Sequence, residues 1–193
     1  MTETVAQPVF LVVDEDPAAV QMLVGDLERR FQADFRVMGE TSARAALERL
    51  GALRQLGEQV AVIICAEALG AMPGSELLAR SRSAHPGAKR ILLINYSDPN
   101  MLEVIARGMA LGRVDYYLTK PWRPREHLLY PVIGEALVAW TRLNTPGLTL
   151  VRIVGDHWDR VSFELRDTLK RNNVAFAFYD RGSAEGAGLL RQL

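Results

Sequence analysis

The chain has 193 residues, of which 49% are hydrophobic and 24% charged, with 23 basic residues balancing 23 acidic ones. That length suits one large domain, or one of ~120–150 residues followed by something smaller. The balanced charge leaves no basic excess to hold a phosphate backbone or an anionic membrane surface, which argues against nucleic acid and membrane as partners.

The first elements follow a simple alternation. The run Val9–Val13 is wholly apolar, as a strand buried on both faces of a parallel sheet must be. It ends in three acids, Asp14, Glu15 and Asp16. Asp16 followed by Pro17 gives an N-cap and a proline at the first helical position, and Val20, Leu23, Val24, Leu27 and Phe31 then recur at helical spacing. Residues 35–38 read as a second strand. Residues 41–56 read as a helix with Ala45, Ala46, Leu50 and Leu53 on its apolar face.

Residues 60–65 form the third strand, followed by a glycine-bearing loop over 69–74 and a helix through Ser83. A strand over 91–94, a helix over 99–109 and a strand over 114–118 come next, and Lys120-Pro121 closes the run. Residues 124–143 read as the closing helix, with Leu128, Val132, Ile133, Ala136, Leu137 and Trp140 on the apolar face and a bend at Pro131. Strands alternating with helices imply right-handed crossovers and a doubly wound α/β fold, a five-stranded parallel sheet covered on both faces. Such sheets gather their working groups at the carboxyl ends of the strands, here the acidic loop at Asp14, the loop after Cys65, and Lys120.

These residues resemble the receiver domain of bacterial response regulators, over roughly residues 8–143. VVDEDP resembles the acidic signature after the first strand, LGAMPGSELL the loop and helix start that follow the phosphoacceptor, and YYLTKPW the lysine-proline end of the fifth strand. The resemblance implies a flavodoxin-like fold, a divalent cation held by the acidic pair Asp14 and Glu15, and a cis peptide at Lys120-Pro121. It also places the phosphoacceptor at Ala66, counted back from Met72 and Gly74, and a methyl group cannot take a phosphoryl group. The hydroxyl residue usual at the end of the fourth strand is replaced by Ile94, followed by Asn95. Lys120 and the aromatic Tyr117 remain.

The expectation is therefore a pseudo-receiver that is no enzyme and signals through protein contacts without aspartyl phosphorylation. One alternative is a phosphorylatable regulator with another acceptor such as Glu67, although neighbouring residues at a strand exit point in opposite directions. Asp14 and Glu15 either hold magnesium weakly or only complement a helix N-terminus, with Lys120 as their ion-pair partner. Cys65 reads as a small core hydrophobe rather than a redox thiol. His85, His127 and His157 show no ligand spacing.

Asn144 to Gly147, NTPG, carries the strongest turn signal and separates residues 1–143 from a segment over 148–193. That segment reads as a strand over 148–154, a helix over 158–169, a turn at Asn172 and Asn173, a strand over 174–179 and a final helix. It resembles an incomplete thioredoxin or glutaredoxin β-α-β half, but it has no cysteine and so no dithiol chemistry. The order of the two parts resembles the N-terminal region of fusions that continue into a thioredoxin-reductase-like flavoprotein. FAD and NADPH would then belong only to a longer C-terminal region, since no GxGxxG occurs here. The alternative function is the regulatory or dimerising head of such an enzyme. Expected partners are a histidine kinase or a redox flavoprotein domain, together with a second copy in a homodimer. With one cysteine, no signal-peptide pattern and no run of ~20 apolar residues, the expected location is the cytoplasm.

Overall fold

The structure is a computed structural model that describes residues 7–144, 151–156, 159–171 and 176–191. It divides into two compact units after Asn144.

The first unit alternates β1 (Val9–Val13), α1 (Pro17–Phe31), β2 (Arg36–Glu40), α2 (Ala43–Gln55), β3 (Val60–Ala66), α3 (Gly74–Ala84), β4 (Lys89–Asn95), α4 (Met101–Ala110), β5 (Tyr116–Lys120) and α5 (Arg125–Asn144). The five strands are parallel in the order β2-β1-β3-β4-β5. The order reverses between β1 and β3, which puts a crevice at their carboxyl ends.

Two apolar layers hold the sheet, and strand alternation explains both. Val9, Leu11, Val13, Ile63 and Leu92 face α2, α3 and Ile105 of α4. Phe10, Val12, Val62, Ile64 and Leu93 face the other way, against Leu23 and Leu27 of α1 and Leu129, Ile133 and Trp140 of α5. Phe10 stacks on Phe35 at 4.6 Å and meets Phe31 edge-on at 5.6 Å. Burying each such side chain is worth about 1.5–3 kcal/mol, so either layer alone outweighs any surface ion pair.

The helix starts follow their capping residues. Asp16 adopts an extended backbone and accepts a 2.9 Å bond from the Ala18 amide, with Pro17 at the first helical position, a cap worth about 1 kcal/mol. Ser42 does the same for α2 through the Ala45 amide at 3.2 Å, so α2 begins at Ala43 rather than at residue 41.

Three expectations shift. The fifth strand runs 116–120, because Val114 is buried against the close approach of Gly108 in α4, while Asp115 turns to bind Arg90. β4 reaches back to Lys89, since Arg90, although charged, is buried in that pair with Asp115. In α5, Leu129 and Tyr130 point inward and Leu128 is exposed. The rest of the face read off the sequence, Val132, Ile133, Ala136, Leu137 and Trp140, does pack on the core, and the helix is continuous through Pro131.

The second unit contains β6 (Val151–Gly155), α6 (Arg160–Arg171), β7 (Phe176–Asp180) and α7 (Ala184–Leu190), with β6 and β7 paired in parallel. A β-α-β crossover accounts for that pairing. Gly155 is required by contact, since a Cβ there would lie 2.3 Å from Ser162 Oγ. The Arg166 guanidinium lies over the Phe178 ring at 4.5 Å. Residues 145–150, His157, Trp158 and residues 172–175, including the turn at Asn172 and Asn173, lie outside the described residues. No helix among the described residues is long and apolar enough to cross a membrane.

Candidate functional site

The carboxyl ends of β1, β3, β4 and β5 bring Asp14, Ala66, Asn95 and Lys120 to one end of the sheet. Asp14 is 1% exposed. Its Oδ1 accepts the Asp16 amide at 3.1 Å, and its Oδ2 is in contact with the Lys120 ammonium. That second contact is an ion pair without a directed hydrogen bond, so the lysine offsets the buried charge chiefly as a point cation. Glu15 is exposed and leans over the β3–α3 loop, where a Cβ on Gly70 would lie 3.5 Å from its Oε2. Gly70 has φ +59°, a left-handed conformation that suits glycine.

Ala66 is 2% exposed and belongs to the apolar layer that also holds Leu69 and Leu77, with Met72 packed against it. α3 sits directly on its carbonyl, since a Cβ on Gly74 would come within 2.0 Å of Ala66 O. The position carries no nucleophile. Glu67 is turned to the start of α3, where its carboxylate accepts the Ser75 amide at 2.8 Å and the Ser75 hydroxyl at 3.0 Å. It completes the N-terminus of that helix, a favourable place for an anion.

Ile94 is buried in the layer shared with Cys65 and Ala66, and it contributes only apolar surface. Tyr117 is 47% exposed on β5. The Lys120-Pro121 peptide is cis, as is Arg123-Pro124, which the sequence reading did not anticipate. Cys65 is fully buried with its thiol 3.4 Å from Ala66 O. Burial, then the charges of Glu67 and Asp14, push its pKa far above the ordinary value of 9.0, so the reactive thiolate is suppressed. His85 is buried and bonds Leu50 O at 2.9 Å, tying α3 to α2.

The donor set does not fit a resident divalent cation well. Asp14 is engaged by Lys120, Ala66 offers no side-chain oxygen, and no group of three or more metal-ligating side chains occurs among the described residues. Magnesium prefers six oxygens in near-octahedral array.

A second polar cluster escaped the sequence reading. Asp26, in the middle of α1, is 4% exposed on an otherwise apolar face. Its Oδ2 accepts the Trp122 indole N–H at 3.0 Å and its Oδ1 the Arg125 guanidinium at 2.5 Å, while its backbone carbonyl accepts the Tyr130 hydroxyl at 3.1 Å. The signal present in the sequence was an acid set between Leu23 and Leu27 on the helix's buried stripe.

The first unit has the flavodoxin-like receiver fold of response regulators. A signal receiver domain from an HD-domain protein of Pseudomonas fluorescens is 28% identical, with TM-score 0.57, and the match covers 74% of this chain and 96% of that one. A CheY-like receiver domain from Methanospirillum hungatei gives TM-score 0.56 at 22% identity, covering 72% and 99%. Among curated proteins, the hydrogenase transcriptional regulatory protein HoxA of Cupriavidus necator is 31% identical over 123 residues, which is 64% of this chain and 23% of that protein. The HoxA of Bradyrhizobium diazoefficiens is 30% identical over 134 residues, 68% and 24%. The chain thus spans about a quarter of the length of these relatives. No protein-family model matches it.

Proposed function

We propose that residues 1–143 act as a degenerate receiver, a non-enzymatic signalling module that works through protein contacts and without aspartyl phosphorylation. The observation that carries this reading is Ala66. The position where the receiver resemblance puts the acceptor carboxylate holds a buried methyl group, and the lysine that would meet a phosphoryl oxygen is paired with Asp14 instead. Ile94 removes the hydroxyl that would bind the modified acid. Neither loss is compensated by Glu67, whose carboxylate is committed to Ser75.

The partner is a protein, and a histidine kinase or a redox flavoprotein domain fits the two resemblances. Large exposed apolar side chains at Tyr96, Leu102 and Tyr117 offer contact area on the first unit. The curated relatives' name of transcriptional regulatory protein belongs to longer proteins, of which the match covers about a quarter, and this chain carries no basic excess for DNA. In the second unit a parallel pair of five-residue strands leaves outer edges to be covered, which supports self-association into a homodimer. A role as the regulatory head of a flavoenzyme draws on the cysteine-free β-α-β pattern of this unit, with FAD and NADPH supplied by a longer C-terminal region.

Incubation with acetyl phosphate and magnesium tests the reading. The intact mass stays unchanged, and beryllofluoride leaves the resonances of Asp14 and Lys120 in place. A stoichiometric, hydroxylamine-sensitive mass gain overturns it and points to Glu67 as the acceptor.

A further inference from the structure

We infer that Asp26 is a positioning residue for Lys120: it locks the segment after β5 onto α1 and thereby sets the place of the lysine over Asp14. This inference does not depend on whether the domain is phosphorylated.

The argument begins with an energetic oddity. Asp26 lies between Leu23 and Leu27 on the face of α1 that packs against the sheet and α5, where an apolar residue would avoid the cost of desolvating a carboxylate. A charge is retained at such a place only with nearly complete pairing, and Asp26 has it. All its donors come from the stretch that follows Lys120. Trp122, two residues on, gives its indole N–H; Arg125, at the start of α5, gives a charged bond; Tyr130, one turn further, bonds the backbone carbonyl. Arg30, one turn along α1 from Asp26, covers the Tyr130 ring at 4.9 Å.

Geometry links this clamp to the site. Lys120 is the last residue of β5, an edge strand held on one side only, by β4. Beyond it the chain turns through Pro121, Trp122, Arg123 and Pro124 before α5 begins, and prolines contribute no amide donors to fix that turn. Trp122 is its buried anchor, 4% exposed, and Asp26 fixes the ring's polar edge. Asp16, which caps the start of α1, also bonds Asp14 through its amide. Thus α1 is bonded to Asp14 at its start and to the lysine's own loop at its middle. Between these two ties lies a groove of about 280 Å³ lined by Ala18, Met22, Lys120, Pro121, Trp122 and Arg123. Its two walls are the elements that Asp26 joins.

The test uses the full chain with Asp26→Asn, Asp26→Leu and Arg125→Gln, and with Glu48→Gln in the exposed Arg44–Glu48 pair as a control. Hydrogen exchange of the Trp122 indole N–H, which bonds Asp26, and of the Thr119 amide in β5 is measured, together with the carboxyl ¹³C resonance of Asp14. Exchange is expected to rise at least tenfold at both sites in Asp26→Asn, with a shifted Asp14 resonance, while α2 and α3 keep their protection and the control changes nothing. Arg125→Gln gives a smaller change in the same direction. A merely structural role for Asp26 would lower the unfolding midpoint without moving the Asp14 resonance. If Asp26→Leu does not fold, the Asn and Gln variants carry the test. Exchange within twofold of the parent at both sites, with the Asp14 resonance unmoved, overturns the inference.

Discussion

Replacing Lys120 by Met is the sharpest probe of the site, because the aliphatic stem stays and only the ammonium is lost. Asp14 is then left 1% exposed with the Asp16 amide as its remaining bond. Removing one member of a buried pair generally costs about 3–5 kcal/mol, because the other charge is stranded. The Lys120 side chain is 28% exposed against 2% for Asp14, so water reaches one side of the gap and the expected cost falls to about 2–3 kcal/mol. For a chain of this size that is a fall in Tm of roughly 4–12 °C. Asp14→Asn in the same background removes the stranded charge and keeps an acceptor for Asp16, so the double variant recovers about half of the loss. Urea unfolding followed by circular dichroism supplies the numbers. A Lys120→Met cost below about 0.5 kcal/mol, or a double variant no better than the sum of the singles, would show that the pair is a solvated surface contact and would sink the argument.

Ala66→Asp should not restore phosphorylation by acetyl phosphate, because Ile94 still offers no hydroxyl and the new carboxylate sits in the apolar layer with Leu69 and Leu77; it should lower stability by about 2–4 kcal/mol, and rapid stoichiometric labelling of this single variant would contradict that. Native Cys65 should resist thiol reagents that label the unfolded chain, and quantitative labelling within minutes would refute the burial. Since the folded thiol pKa is raised above its unfolded value, the folded state holds the proton more tightly: this contribution is complete below about pH 8.5 and is lost at roughly 1.4 kcal/mol per pH unit above it. A urea midpoint that is flat from pH 8 to 10 in the parent, and equal to that of Cys65→Ala, would contradict the linkage. The full chain should scatter light as a dimer at tens of micromolar, a range that saturates a Kd near ~1 μM; a monomer mass there removes the homodimer.

β1 and β3 were legible in the sequence because every residue of each is buried, so the apolar run and the strand coincide. β2 was read without its carboxyl end and β4 without its start, for the opposite reason. Those ends carry Glu40 and Arg90, which stay in the sheet because Arg49 and Asp115 pair with them, and no local pattern announces a partner that far away. The same limit divides the site. Asp14 and Lys120 stand at strand ends, where residue type alone marks them. The bonds from Asp26 to Trp122 and Arg125 span 96 and 99 residues. Only the fold brings them together, and an acid on an apolar helix face was the sole trace.

The charge balance at the strand ends bears on how such a module would receive a signal. Two carboxylates and one ammonium leave a single negative charge, and Lys120 already covers the buried one. A third carboxylate at position 66 would bring like charges together and make a cation, or a covalent change, the natural way to relieve them. With Ala66 that electrostatic demand is gone. On the proposed reading a signal enters by contact. The place where contact would be felt at Asp14 and Lys120 is the groove between α1 and the loop after β5, because both of its walls are bonded to that pair or to its neighbours through Asp16 and Asp26. A protein seated there could favour one arrangement of the pair only by binding it better than the other, and the clamp is what would make the two arrangements differ.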